Sequence, residues 1–487
     1  MDPAAAFSNE TTRCRMAQRV WSSLPIRKRL RCVRRMQHLL AETAETLALT
    51  VTQDIGRSAD EVLVTDILPT ADACRFLEKQ ATRILKTRRI PLSQRPMWLL
   101  GSVDWVQRRP HGLVGIIGTW NYPIYLNAIQ IVQALAAGNG VLWKPSELTP
   151  TTAAFLHALF LRAGFPADLF MRLPATREAG PLLAESAIDF LVFTGSADVG
   201  RKLARRLGER LIPSTLELSG CDALIVCSDA NIEMAAKAAW FGVTLNSGQT
   251  CLALRRIFVE RSRYAEFLDK LRVPAMTARA EPLALISQAT QAERLVNSAV
   301  AGGARLLIDG PIPLAADDPP RFPATFVVDA RSDMAIAQEA SFAPIACIIP
   351  FDQVADAIRM VEFCPYSLGA SVFARSRATA LAIAERLNSG SVTINDTIAT
   401  TAHPATPFGG CRASGWGITQ GGEGLLAMTV PRVVSYRKGT YRPHYTLDND
   451  PATLEMMRGM LQWNHAGGLR ARLAGVWRMI RAALRAI

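Results

Sequence analysis

Short apolar runs, each closed by a glycine or a turn, alternate with helix-forming segments along most of this chain, and that rhythm leaves few folds open. Residues 112–118 (GLVGIIG) have the pattern of a buried strand, and a helix over about 125–137 follows Pro123. Residues 141–144 read as a second short strand, 150–163 as the next helix, 190–193 as a strand and 199–207 as a helix. Strands apolar on both faces and joined through helices belong in a parallel sheet covered on both sides, so the expected class is α/β. After Gly220 the alternation restarts. A strand at 223–226, an alanine-rich helix at 231–244 and strands near 253–259, 305–308, 325–328 and 346–350 predict a second α/β domain over 218–422. Residues 13–90 read mostly as helices, 96–109 as extended chain, and 307–323 as a surface loop rich in Pro, Gly and Asp.

A chain of 487 residues is long enough for two or three such domains. Its nine cysteines are scattered with no CxxC, and its six histidines show no metal-ligand spacing, so neither a disulfide scaffold nor a zinc site is expected. The opening MDPAAAFSNE lacks the apolar stretch of a secretory signal, and no run of about 18 apolar residues predicts a spanning helix. A cytoplasmic protein is the expectation. The net charge of +13 suits anionic partners. Residues 13–35 carry nine basic side chains and no acid, yet no nucleic-acid motif surrounds them, and no nucleic-acid partner is expected.

Chemistry concentrates at Cys251, which ends the polar run Asn246-Ser247-Gly248-Gln249-Thr250, and at Glu217, 34 positions earlier. A thiol with a carboxylate nearby suits covalent catalysis followed by activation of water. The thiol is expected to be partly thiolate, helped by helix N-termini or other donors. Three further elements fit a nucleotide. Gly195 and Ser196 close a strand and open a helix, where backbone N–H groups suit a pyrophosphate. Lys144 and Glu147 follow another strand and suit phosphate and ribose hydroxyls, although a capped, solvated turn reads the same way. Asn121, in Trp120-Asn121-Tyr122-Pro123, aims an amide either at an oxyanion or into buried structural hydrogen bonds.

Taken in order, Gly118-Thr119-Trp120-Asn121-Tyr122-Pro123, Lys144-Pro145-Ser146-Glu147, Phe193-Thr194-Gly195-Ser196, Glu217-Leu218-Ser219-Gly220, Gly248-Gln249-Thr250-Cys251, Asn395-Asp396 and Pro407-Phe408-Gly409-Gly410 resemble the aldehyde dehydrogenase superfamily over roughly residues 15–435. The short N-terminus and the text around Asn121 are more similar to its class 3, fatty-aldehyde branch. The resemblance implies a Rossmann-like NAD(P)-binding domain (1–95 and 111–217), a catalytic domain (218–422) and a bridging flap of strands (96–110 and 423–445). It implies Cys251 as nucleophile, Asn121 as oxyanion donor and Glu217 as base. Lys144 and Glu147 would hold the adenosine ribose, Gly195 and Ser196 the pyrophosphate beside Trp120, and Phe342 the nicotinamide end. NAD is the expected cofactor, with NADP possible for this branch, in a homodimer. One departure stands out. Ala340 replaces the glutamate that binds the nicotinamide ribose in the family, so a degenerate, non-catalytic member is an alternative. So is an acyl-CoA or fatty-acyl reductase, which the retained Glu217 opposes.

Residues 446–487 extend past this resemblance. Leu469, Leu473, Val476, Trp477, Ile480, Leu484 and Ile487 recur at helical spacing, with Arg470, Arg478, Arg481 and Arg485 largely on the other side. Such a basic amphipathic helix lies on an anionic membrane surface, caps a tunnel or packs on protein. Membrane contact would favour a long-chain or lipid-derived aldehyde.

Overall fold

The computed structural model describes residues 6–310, 320–440, 442–445 and 450–485. It forms two compact units, Met1–Ile84 with Pro110–Val430, and Leu85–Arg109 with Pro431–Ile487. The first holds two open sheets, the second a small sheet and a helical hairpin.

The six-stranded sheet of the first unit runs, edge to edge, Gly415–Trp416, Ser214–Leu218, Phe190–Gly195, Leu113–Ile117, Gly140–Lys144, Phe170–Arg172. All neighbours are parallel except the first pair. Leu113–Ile117 and Gly140–Lys144 are buried along their whole length, which is why they read as unbroken apolar runs. From Leu113–Ile117 the chain builds outward to Phe170–Arg172, then returns to the other side at Phe190–Gly195. The strand order therefore reverses beside Leu113–Ile117, and the crevice at the carboxyl ends of the strands there is the expected ligand site of a doubly wound sheet. Helices Tyr125–Ala137, Pro150–Arg162 and Ala197–Glu209 supply the crossovers.

The seven-stranded sheet runs Arg305–Leu306, Thr325–Val328, Ile345–Phe351, Leu254–Glu260, Asp222–Val226, Gly369–Phe373, Ser391–Ile394. Only its first pair is antiparallel. Apolar clusters cover it, one around Ile225, Phe258, Cys347 and Ile349, another around Leu224, Ile257, Phe267 and Ile348. Three residues, Ser219 to Cys221, separate the last strand of the first sheet's parallel set from Asp222–Val226 of the second. The architecture is α/β, with a Rossmann-like region, a second α/β layer and smaller sheets.

The basic run near the N-terminus folds into helices Ser8–Ser23 and Ile26–Glu42. Arg13 pairs with Asp168, Arg15 with Asp189 at 2.8 Å, and buried Arg29 donates to the carbonyls of Ala136 and Leu24. These three charges tie the helices to the domain, while Arg19, Arg27, Lys28, Arg31, Arg34 and Arg35 of the same run are exposed. Two local expectations change. Arg321–Pro323 is a strand paired with Ala280–Pro282 rather than loop, while residues 311–319 of that segment lie outside the described residues. Part of the 96–109 segment is a turn, Met97–Leu99, before the strand Ser102–Pro110.

In the second unit, Arg88–Arg89, Ser102–Pro110 and Thr429–Arg437 form a three-stranded sheet. Helices Pro451–His465 and Leu469–Arg485 form the hairpin. They cross closely because both are small at the contact: a Cβ on Gly475 would meet the Gly459 carbonyl oxygen at 2.7 Å.

Candidate active site

Glu217 leaves the end of Ser214–Leu218, and Cys251 stands just before Leu254–Glu260. The sheet junction brings them together: the half-buried Cys251 thiol donates to Glu217 Oε1 at 3.4 Å. Gly220 makes the approach possible, since a Cβ there would lie 2.3 Å from the Cys251 carbonyl oxygen. Leu252, Leu368 and Phe408 pack an apolar cluster against the thiol.

Glu217 is only 2 % exposed. Burial lifts its carboxyl from 4.5 to about 7, against hydrogen bonds from Cys251 and Thr194 that favour the ionised form. Thr194 donates to Glu217 Oε2 at 3.2 Å and receives from Gln130 Nε2 at 3.0 Å, so the second oxygen is fixed by a chain of side chains from the neighbouring strand and helix. The pair differs from expectation in one respect. Burial, then the charges of Glu217 and Asp222, push the Cys251 thiol well above its ordinary 9.0. The Leu252 backbone N–H favours the thiolate but is outweighed. The thiol keeps its proton and offers it to Glu217.

Asn121 is buried against the loop that carries the thiol. Its Nδ2 donates to the Gln249 carbonyl at 3.0 Å, and its Oδ1 accepts from Thr119 Oγ1 at 2.8 Å, which fixes the amide's orientation and leaves the second N–H of Nδ2 for another acceptor. The loop itself is held from three sides. Asn246 donates to the Asn121 carbonyl at 3.1 Å, and the Tyr122 and Thr250 hydroxyls meet at 2.6 Å. Buried Arg255 reaches four carbonyls, those of Gly248, Ser341, Ala343 and Ile345, and so ties the Cys251 loop to the Phe342 segment. Gly248, at φ +73°, packs on the Ala343–Pro344 backbone, where a Cβ would have 2.5 Å.

Behind Asn121 lies an ion pair that the sequence reading missed. Arg57 is 2.7 Å from Asp66, donates to the Asn121 carbonyl at 2.9 Å, and lies over the Tyr122 ring. Burial opposes the arginine's charge, but Asp66, Tyr122 and Glu61 outweigh it and raise its pKa. Asp66 also accepts from the backbone N–H groups of Ile124 and Tyr125 at 3.1 and 2.9 Å. Nothing in the sequence pattern flags Arg57, because its partner stands on the next helix.

The crevice at the switch in strand order is a cavity of about 850 Å³ lined by Trp120, Lys144, Glu147, Gly195 and Ser196 among others. Lys144 and Glu147 pair at 3.1 Å, and Arg177 joins Glu147 at 2.8 Å. Burial works against it, but the Glu147 backbone N–H, Arg177 and Lys144 hold the Glu147 carboxyl below its usual range. Ser196 caps helix Ala197–Glu209 by accepting from the Val199 N–H at 3.4 Å. Lys202, Arg205 and Arg206 line the same crevice. A helix N-terminus and five cations, with the carboxylates of Glu147 and Glu209, form a set of donors and acceptors suited to a dinucleotide with two phosphates. Phe342 lies with its ring centroid 6.1 Å from that of Trp120. Glu339 turns away to pair with Arg294, so no carboxylate from this segment stands in for the one missing at Ala340. Asn395 serves the fold, exchanging hydrogen bonds with the Ala374 backbone. Among the described residues, no cluster of His, Cys, Asp and Glu could hold a metal.

The model of the aldehyde dehydrogenase family matches residues 4–434. A 4,4'-diapolycopene aldehyde oxidase of Methylomonas sp is 30% identical over 439 residues, 88% of this chain and 81% of that protein. An aldehyde dehydrogenase of Mycobacterium tuberculosis complexed with NAD+ superposes with a TM-score of 0.82 at 29% identity, covering 88% of this chain and 90% of that one. An NADP dependent enzyme of E. coli superposes with a TM-score of 0.83 at 26% identity, covering 89% and 91%. The chain belongs to the aldehyde dehydrogenase family. It is an NAD(P)-dependent enzyme that oxidises an aldehyde through Cys251, with Glu217 beside the thiol.

Proposed function

We propose the following division of labour for this NAD(P)-dependent oxidation of an aldehyde to its carboxylic acid. The observation that carries it is the 3.4 Å contact between Cys251 and Glu217, on a loop that also holds Asn121. Glu217 takes the thiol proton, and the Cys251 sulfur attacks the carbonyl carbon. The free N–H of Asn121 Nδ2 and the Cys251 backbone N–H stabilise the resulting alkoxide of the thiohemiacetal. The nicotinamide, when bound, accepts the hydride that this carbon releases. Glu217 releases the thiol's proton to solvent and, ionised again, draws a proton from water, which attacks the thioester; the adduct expels the Cys251 sulfur, which takes up a proton, and the carboxylic acid leaves. Retention of this carboxylate argues against a reductase that would have to protect its thioester.

In the 1–95 and 111–217 region, Lys144 and Glu147 hold the adenosine ribose, Gly195 and Ser196 the pyrophosphate, and Trp120 with Phe342 flanks the nicotinamide. Glu147 favours NAD, while Arg177 beside it suits the extra phosphate of NADP. Residues 218–422 carry the catalytic loop, and 96–110 with 423–445 bridge two copies in a homodimer. The substrate is a long-chain or lipid-derived aldehyde, as the name of the Methylomonas relative and the resemblance to the class 3 branch suggest. The enzyme works in the cytoplasm, at the membrane periphery. No described helix is long and apolar enough to cross a membrane.

NADH and NADPH formation by wild type and Cys251→Ala, on aldehydes of about two to about sixteen carbons without coenzyme A, tests the reading. Turnover by wild type alone, with its optimum at long chains, is expected. Reduction of neither cofactor on any chain length would refute it.

A further inference from the structure

The net positive balance of this molecule falls mainly in its smaller unit. The unit Leu85–Arg109 with Pro431–Ile487 holds sixteen lysines and arginines against four acids, so twelve of the thirteen net positive charges sit on 82 of the 487 residues. The helical hairpin of that unit adds an uncovered apolar stripe. Leu469–Arg485 packs on Pro451–His465 through Gly475, Ala482 and Gly459. On the side of the helix turned about 180° away, Leu469, Leu473, Trp477, Ile480 and Leu484 are 72%, 49%, 64%, 44% and 70% exposed. Arg470, Arg481 and Arg472 flank this stripe and are exposed. The acid of the hairpin, Glu455, is engaged by Arg458 at 2.6 Å and Arg478 at 3.3 Å.

We propose that this hairpin seats on the surface of an anionic lipid bilayer, with the Leu469–Leu484 stripe among the acyl chains and the flanking arginines on lipid phosphates. A helix of 17 residues with five arginines does not span a bilayer and lies in its plane. The two halves of the surface call for the two halves of a lipid: guanidinium groups for phosphate and large aliphatic and indole side chains for hydrocarbon. A nucleic-acid backbone would use the arginines and leave the stripe in water. The hairpin also lies beyond residues 4–434, which the family model matches, so the chemistry at Cys251 does not require it. This inference deepens the peripheral placement proposed above and rests on it for where the enzyme works, not for what Cys251 does.

The test is co-sedimentation of the full chain with vesicles of phosphatidylcholine alone and of phosphatidylcholine with roughly 30% phosphatidylglycerol. It is run on wild type and on the double variant Leu473→Glu, Trp477→Glu. Wild type is expected to bind the anionic vesicles at least about tenfold more tightly than the neutral ones, and raised salt to weaken that binding. The double variant is expected to lose at least about tenfold on anionic vesicles while oxidising a short, water-soluble aldehyde at the wild-type rate. Three results would overturn the proposal. They are no preference for anionic vesicles, equal binding by the double variant, or a variant altered only in particle size at increasing concentration, which would assign the stripe to a second copy of the chain. If neither protein oxidises the short aldehyde, the reading of Cys251 fails, and the wild-type vesicle result still decides the hairpin.

Discussion

Replacing Glu217 by Gln should make the fold more stable and the enzyme inactive, and the stability gain should depend on pH. The carboxyl titrates at about 7 in the fold and near 4.5 where it is solvated. A carboxyl with a raised folded value binds its proton more tightly in the native state, so ionising it costs native stability. The cost is absent well below 4.5, grows through the interval, and is complete above about 7. That interval corresponds to about 3 kcal/mol at full ionisation. The amide keeps the shape but gives up the charge-assisted bonds from Thr194 and Cys251, so a net gain of about 1–3 kcal/mol is expected at pH 9. Urea unfolding of both proteins, without cofactor, at pH values from about 5 to about 9 measures it through the midpoint at a shared m value. The two curves should nearly coincide at the acid end and separate as pH rises, with wild type falling below the variant. A constant difference across the range, or wild type gaining on the variant toward alkaline pH, would refute the assignment of Glu217 as a buried carboxyl held near neutrality. Stability released by removing a catalytic group is the usual mark of an active site under local strain.

Alkylation of Cys251 by iodoacetamide in the cofactor-free enzyme should be slower at pH 7 than for a free cysteine and keep accelerating past pH 9, because the thiol is raised above 9.0; a rate flat above pH 7, followed by mass spectrometry of the labelled peptide, would contradict this. Asn121→Ala should lower kcat by about 10²- to 10³-fold with a much smaller change in the cofactor Kd, read from steady-state kinetics and fluorescence titration. Arg57→Met should destabilise the fold by about 3–5 kcal/mol in the same urea assay, since it strands Asp66 without its cation.

Much of the first unit is legible from sequence for one physical reason: strands buried on both faces must be apolar throughout, and helices between them must end in turns. Leu113–Ile117, Gly140–Lys144 and Thr325–Val328 announce themselves in this way. Ser214–Leu218 does not, because it carries Glu217 and opens on a serine and a threonine, the polar cost of placing a base at a strand end. The thiol, the base and the nucleotide residues are visible as motifs because each needs a particular atom at a particular turn. Their support is not. Arg57, Asp66, Thr194 and Arg255 act through partners 7 to 90 positions away, and only the folded chain brings such pairs together. The protonation of Cys251 is not legible either, since it depends on what surrounds the sulfur rather than on what precedes it.

The three-residue crossing from Leu218 to Asp222 has a consequence for motion. Glu217 belongs to one sheet, and Cys251 stands at the mouth of the other, against Gly220 in the crossing itself. The dinucleotide crevice, by contrast, is lined wholly from the first sheet and its helices, out to Lys144 and Arg177. Its rim can shift to exchange one dinucleotide for the next without the thiol and the base, joined through so short a crossing, having to part.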